Sequence, residues 1–346
     1  MERQRDARGQ DQAEALFLES SARIGANPLY VQGAGGNTSL KLGDVLRVKA
    51  SGTRLSQAMV ADIFVDVDLS RVRRGIREGV ADPVAGSRIG SCELRPSIET
   101  SLHGLMPHPV VFHVHCVNTL AWAVRTDAAH EIAERCEGLA WVMVPYRKPG
   151  PDLTRALATA LTERPADVVI LANHGLIVGG SDCDAVETLL DEVATRLKAT
   201  PRPAGAADLE RLNRLAAGTG YRPARHADAH QLALSPAAVR IAATGSLYPD
   251  HVVFLGPGVA VAGDRTALDA AIASHDRSFR PVVLVPGAGV LVPEELSDAG
   301  EEMVQALAMV VARIPDAAAV SCLSPADERA LLNWDAEKYR QTLQTR

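Results

Sequence analysis

The chain has few of the features that mark several large protein classes. Its 346 residues carry five cysteines (Cys92, Cys116, Cys136, Cys183 and Cys322), scattered and with no C-x-x-C pair. An odd, dispersed set argues against a disulfide framework or a zinc ribbon and suits reduced thiols. Basic charge is not in excess. The formal net charge is −6 and no basic stripe is interleaved with aromatics, so nucleic acid is not an expected partner. No apolar run approaches the roughly 20 residues that span a bilayer. The opening MERQRDARGQDQAEA lacks the hydrophobic core of a signal peptide. A cytoplasmic protein with no membrane partner is the expectation. No glycine-rich dinucleotide fingerprint follows a strand. What remains is a folded chain, 47% apolar and 23% charged, long enough for two domains.

The pattern of residues alternates between helix and strand. A first helix is expected over Asp11–Ala26, then a hairpin-like pair, Ser39–Leu42 and Val45–Ala50, punctuated by glycines. Residues 70–95 read as a surface excursion. RPSIETSLHGLM reads as a helix start, with Pro96 in the first turn, Ser97 as cap and Glu99 near the positive end. Further helices are expected over Asn118–Glu137, Pro151–Leu161 and Asp184–Lys198. Strands are expected over Leu139–Val144 and on either side of Asn173-His174-Gly175. TPRPAGAAD at 200–208 is the best linker, which gives domains over 1–200 and 207–346.

The second half contains an echo of the first. VILANHGLIVGGSDCDAVETLL aligns without gaps on VLVPGAGVLVPEELSDAGEEMV, placing Gly175 on Gly289, Asp184 on Asp298 and Ala288 where His174 stands. VVFHVH at 110 echoes VVFLGP at 252 more weakly. The C-terminal domain therefore reads as a degenerate copy without the histidines; the alternative is that all αβ segments with a glycine turn look alike.

Among ten histidines, three sit in apolar strand contexts: His113 and His115 in VVFHVHC, and His174 beside a glycine turn. Side chains alternate along a strand, so His113 and His115 share a face. Three imidazoles leave one position of a tetrahedral metal site open, the arrangement of catalytic zinc. A hydrogen-bonded set of core histidines is the rival reading. Glu99 begins the helix that leads into the histidine strand and would supply a carboxylate for proton transfer, its pKa raised by partial burial. GAGGNTS and KASGT are small-residue turns of the kind that bind anions, and Ser97 opens a helix. Asn37 could equally occupy a left-handed turn. Lys49 and Arg95 are either anion contacts or solvated surface. His103, one helical turn after Glu99, is expected to hydrogen-bond to it in a structural role. The remaining histidines, His108, His130, His226, His230, His251 and His275, are expected at the surface. Cys116 is expected in the core rather than at the metal.

GGNTSLK, VKASGT, RPSIETSLH, HVH and NHG stand in an order and spacing that resembles the class II aldolase/adducin family over residues 12–198. The resemblance implies an α/β (α+β) fold, a three-layer αβα arrangement around a central, mainly antiparallel sheet, followed here by a smaller αβ domain. It implies Zn2+, with Mn2+ or Co2+ as alternatives, on His113, His115 and His174, and Glu99 as the catalytic acid/base. It also implies that Gly36, Asn37, Ser51, Gly52 and Ser97 bind substrate phosphate, and that a tyrosine, Tyr30 or Tyr146, serves as proton donor. The implied activity is metal-dependent cleavage of a ketose 1-phosphate through a stabilised enediolate, in a homo-oligomer (tetramer or dimer). Ile98 stands where the family often has a second serine. That departure, together with LYPDHVVFLGP, LVPGAGVLV and NWDAEKYR, resembles the aldolase half of bifunctional rhamnulose-phosphate aldolase/dehydrogenase proteins, whose dehydrogenase half is not seen here. Alternatives on the same scaffold are an epimerase, dehydratase or decarboxylase, or a non-catalytic adducin-like module. An amidohydrolase or cupin is disfavoured. The first would place HxH near the first strand of a barrel, and the second would add a glutamate soon after it, which VHCVNTLAWAV lacks.

Overall fold

The computed structural model describes residues 2–203, 205–274 and 279–333. Of NWDAEKYR only Asn333 falls within them, and His275 falls outside. The first half contains helices α1 (Glu2–Gly25), α2 (Leu69–Glu78), α3 (Thr100–Leu105), α4 (Val117–Ala123), α5 (Ala128–Arg135), α6 (Pro151–Glu163) and α7 (Cys183–Arg196). Its strands are β1 (Asn37–Leu42), β2 (Val45–Lys49), β3 (Phe64–Asp68), β4 (Val110–Val114), β5 (Trp141–Val144), β6 (Val168–Leu171) and β7 (Gly175–Gly180). The second half adds helices α8 (Leu209–Ala216), α9 (Pro236–Ala242), α10 (Pro249–Leu255), α11 (Arg265–Ser274), α12 (Asp298–Val311) and α13 (Pro325–Leu332). Strands β8 (Tyr221–Pro223), β9 (Ala260–Val261), β10 (Val283–Val285) and β11 (Gly289–Pro293) complete it. Two compact units result, Met1–Thr119 with Ala133–Leu197, and Leu120–Ile132 with Lys198–Arg346.

Among the described residues, the first unit has a seven-stranded sheet in the order β3-β2-β1-β4-β7-β6-β5. Only β5 and β6 run parallel; every other neighbouring pair is antiparallel. Helices α3 and α6 pack on one face: Leu102, Met106, Leu153 and Leu157 join Val111, Val169, Leu171 and Ile177 in one core. Burying each of these side chains contributes about 1.5–3 kcal/mol. Helices α1 and α7 contact each other and the strands β1, β4 and β7. The arrangement is α/β with a central, mainly antiparallel sheet.

Several local expectations are corrected. Residues 69–78 form a helix rather than a loose excursion: Leu69, Val72 and Gly75 are buried at helical spacing while the arginines between them stay outside the core. Their charge masked the apolar stripe. The RPSIETSLHGLM helix begins at Thr100, and Glu99 rather than Ser97 is its N-cap. The helix expected over 118–137 is two, because Arg125 forms a bridge with Val320, and Ser321 donates to the Val124 carbonyl. VVFLGP lies in α10 and the turn after it, so its echo of the histidine strand is broken. α7 and α12 begin at Cys183 and Asp298, one residue out of step with the gapless alignment. His230 and His251 are buried, not superficial. The Val290 amide donates to His230 Nδ1 at 3.0 Å, and His251 donates to the Gly258 carbonyl at 3.2 Å. No helix among the described residues is long and apolar enough to cross a membrane.

Candidate metal centre

Strand β4 lies between β1 and β7 and brings three segments onto one face. Asn37 is opposite His113 on one side, and Ile177 is opposite it on the other. The β6–β7 hairpin turns through Asn173, whose φ is 53°, and delivers His174 to the same place. Gly175 lets that turn approach, since a Cβ there would sit 2.6 Å from the Val114 carbonyl and 3.2 Å from the rings of His113 and His115. Gly36 is held by the same logic. Its φ is +60°, and an added Cβ would lie 2.9 Å from the His113 carbonyl.

The ligand atoms of His113, His115 and His174 all lie within 4.8 Å of one another, and the three rings meet edge to face. All three residues are buried. His113 Nδ1 is 3.1 Å from the Leu176 carbonyl, which can only accept, so Nδ1 carries the proton and Nε2 keeps its lone pair. That Nε2 is buried and makes no hydrogen bond. An unsatisfied buried nitrogen costs free energy unless something fills its lone pair. The carbonyl behind the ring is the outer partner that commonly orients a metal-ligating histidine. A buried set of three imidazole donors fits a divalent cation.

Glu99 sits against this cluster. Its Oε1 is 3.1 Å from His174 Nε2 and its Oε2 is 3.3 Å from His113 Nε2. Asn37 Nδ2 donates to Oε2 at 2.9 Å. Burial alone would raise the carboxyl's pKa, as expected. Here His113, His174 and His115 outweigh burial and hold it well below the usual carboxylate range. The direction of this shift is the reverse of the expectation. Burial pushes His113 down to about 3 against the pull of Glu99, the direction that favours the neutral imidazole a metal ligand needs.

Of the remaining candidates, Asn37 and Ser97 hydrogen-bond to Glu99 itself. The Ser51 amide donates to the Arg95 carbonyl at 2.8 Å and the Ser97 amide to the Lys49 carbonyl at 3.1 Å. These bonds zip the Ser51–Gly52 turn to the segment that leads into α3. Ser97 Oγ accepts from the Glu99 amide at 3.2 Å. Lys49 is not on the surface. It is 2% exposed, and its Nζ donates to the carbonyls of Ala34 and Thr53, tying the two glycine turns together. Asn37 opens β1 and is not left-handed. His103 bonds to Ser39 and Asn37 rather than to Glu99. The alternation of Asn37 and Ser39 on one strand face was the signal for that contact. Tyr30 donates to Asp191 of α7 at 2.6 Å, and burial raises its pKa. Cys116 is buried.

A family model described as the class II aldolase and adducin N-terminal domain matches residues 20–199. The chain belongs to the class II aldolase and adducin family. An uncharacterized oxidoreductase of Bacillus subtilis (strain 168), YuxG, is 32% identical over 183 residues, 48% of this chain and 26% of the relative. The chain thus spans about a quarter of that relative's length. Among solved structures, the N-terminal class II aldolase domain of a conserved protein from Thermoplasma acidophilum is 26% identical. It covers 52% of this chain and 90% of its own, at a TM-score of 0.46. A sugar-phosphate aldolase from Thermotoga maritima is 15% identical, covering 55% and 95%, at a TM-score of 0.43. Within this class II aldolase and adducin match fall all three clustered histidines and Glu99.

Proposed function

We propose that this chain is a zinc-dependent aldolase-type lyase that cleaves a sugar phosphate, a ketose 1-phosphate, and that it corresponds to the aldolase part of a longer bifunctional protein. The observation that carries the reading is the Glu99 carboxylate in contact with two of three clustered, buried histidines. A non-catalytic module has no use for a buried carboxylate so placed. His113, His115 and His174 would hold the zinc, which when bound supplies Lewis-acid stabilisation of the negative charge left on carbon as the C–C bond breaks. Glu99 moves the proton at that carbon: in cleavage it takes up the proton released from the substrate hydroxyl as the C–C bond breaks and delivers it to the carbon. The Gly36–Asn37 turn, the Ser51–Gly52 turn and Ser97 form the end that takes the substrate's anionic group, with small side chains and backbone N–H groups. Burial of the cluster keeps water from competing for these charges.

The test is a screen of ketose 1-phosphates with zinc-loaded protein, monitoring release of dihydroxyacetone phosphate. Release in the wild type, lost in Glu99→Gln with zinc retained, supports the reading. Interconversion of epimers or loss of carbon dioxide without that release assigns the site to another reaction. We further propose that the second unit is a degenerate copy of the first that holds no metal. Metal analysis should find about one zinc per chain, and two would refute it.

A further inference from the structure

We propose that His103 is a positioning residue that sets which end of the Asn37 side chain faces Glu99. This inference rests on the reading of Glu99 as the group that moves the proton. An asparagine amide can present either its oxygen or its NH2, and the two choices have opposite consequences beside a carboxylate. With the NH2 inward, Asn37 donates to Glu99 Oε2 at 2.9 Å. With the oxygen inward, two acceptors would face each other in a site where neither reaches water, since Asn37 is 4% and Glu99 6% exposed.

The far end of the amide decides between them. Asn37 Oδ1 accepts from His103 Nε2. A carbonyl oxygen only accepts, so His103 must carry its proton on Nε2. The other ring nitrogen, Nδ1, lies 2.7 Å from Ser39 Oγ, and the hydroxyl donates to it. The result is one directed chain: Ser39 hydroxyl to His103, His103 to Asn37, Asn37 to Glu99. Each member is the donor that the next requires. His103 is fully buried, which favours the neutral ring that this order needs.

The geometry follows from two periodicities. Asn37 and Ser39 are two apart on β1 and share a face with His113. His103 lies one helical turn beyond Glu99 on α3, so the helix that presents the carboxylate also presents its orienting ring. Asparagine, serine and histidine at these positions are neutral, and none of them offers a second carboxylate to compete for the cation. Their use here is direction rather than charge.

The experiment compares His103→Leu, which has no donor for Asn37, with His103→Gln, whose amide can still donate. The wild type and both variants are loaded with zinc. Proton exchange from dihydroxyacetone phosphate into D2O is followed by NMR, alongside the side-chain amide signals of asparagine-15N protein, with Asn37 assigned by Asn37→Asp. His103→Leu should slow exchange about 10- to 100-fold, as misplaced reacting groups and lost outer partners do. Its KM for the probe should stay within about twofold. The Asn37 amide signal should shift, and zinc content should not change. His103→Gln should recover most of the rate and the amide signal. An unchanged amide signal and rate in His103→Leu overturns the inference, as does a His103→Gln no better than His103→Leu. If His103→Leu does not fold, Ser39→Ala replaces it. It should show a smaller loss of the same kind, and no loss in rate or amide signal counts against the inference. Glu99→Gln separates the two ideas. Wild-type exchange there refutes the reading of Glu99, whereas lost exchange with indifferent His103 variants refutes only the role of His103.

Discussion

Four of the seven strands in the first unit's sheet are paired in the same series as the four described strands of the second, and the two sets differ in what stands at the chemical positions. Strands β4-β7-β6-β5 are joined antiparallel, antiparallel, parallel, and β8-β11-β10-β9 repeat that series. The register repeats as well, with Leu171 facing Gly175 and Val285 facing Gly289. At the turn between them Asn173 has φ 53° and Gly287 has φ 74°. Val169, Leu171 and Ile177 in one core correspond to Val283, Val285 and Leu291 in the other. His113 faces Ile177, and its counterpart facing Leu291 is Pro223. His174 is matched by Ala288; each donates its backbone amide three residues back, to Leu171 and Val285. Even Glu99, the N-cap of α3, has a counterpart in Asp208, the N-cap of α8. Asp208 spends its carboxylate on the Arg211 amide at 2.9 Å. At the two matched positions the second unit thus has proline and alanine in place of His113 and His174. Proline can replace His113 only because β8 is an edge strand, whereas β4 is bonded on both sides.

The largest effect that would sharpen this contrast is at the metal. His113→Ala should abolish zinc binding and lower turnover by about 1000-fold or more, since several kcal/mol of charge stabilisation are lost. Ala288→His should bind no zinc beyond the one held by the first unit, because one imidazole is not a site. Metal analysis of both variants is the check, and zinc retained by His113→Ala would break the assignment.

Matched core truncations come next. Ile177→Ala and Leu291→Ala should each cost about 2–5 kcal/mol in thermal or denaturant unfolding. Only Ile177→Ala should also weaken zinc affinity, because it faces His113 across the ladder. Equal zinc affinity in the two variants would show that the core does not hold the ligands.

A third effect is common to both units. His103 is pushed down to about 3 and His251 to about 4, chiefly by burial; at His103, Lys41 adds to the shift and Glu99 opposes it. The unfolded chain takes up these protons near 6.5, the native state only near those lower values, so stability rises with pH across the interval. Melting temperature should therefore drop as pH falls from 6.5 towards 4. Each histidine adds up to about 1.4 kcal/mol per pH unit. His251→Gln should flatten the slope, and an unaltered slope would mean that His251 is not buried neutral.

The smallest effect belongs to the matched carboxylates. Asp208→Ala should cost about 1 kcal/mol of stability as a lost helix cap and leave turnover intact. A drop in turnover would show that the second unit carries more of the chemistry than its residues suggest.

Much of the site was legible because it rests on short-range rules. Strand alternation alone places His113 and His115 on one face, and an asparagine followed by histidine and glycine marks the turn that carries His174. The hairpin of β1 and β2, the helix α6 and the two strands around the turn follow from spacing and punctuation. The burial of Lys49, His230 and His251 was not legible, since polar flanks say nothing of what packs above them. Nor was the second β4-like strand, because Tyr221–Pro223 is three residues long and carries a proline, while the apolar VVFLG that imitates it winds into a helix.

The amino-acid sequence by itself determined which groups could do chemistry here, three imidazoles and a carboxylate set among glycine turns, because each is declared by local pattern. Only the tertiary structure decided their state and their partners. Burial among neighbours distant in the chain favours the neutral form of His113, and the surrounding histidines pull the Glu99 pKa down where burial alone would raise it. Contacts between β1 and α3 turn His103 from a neighbour of Glu99 into the residue that orients Asn37.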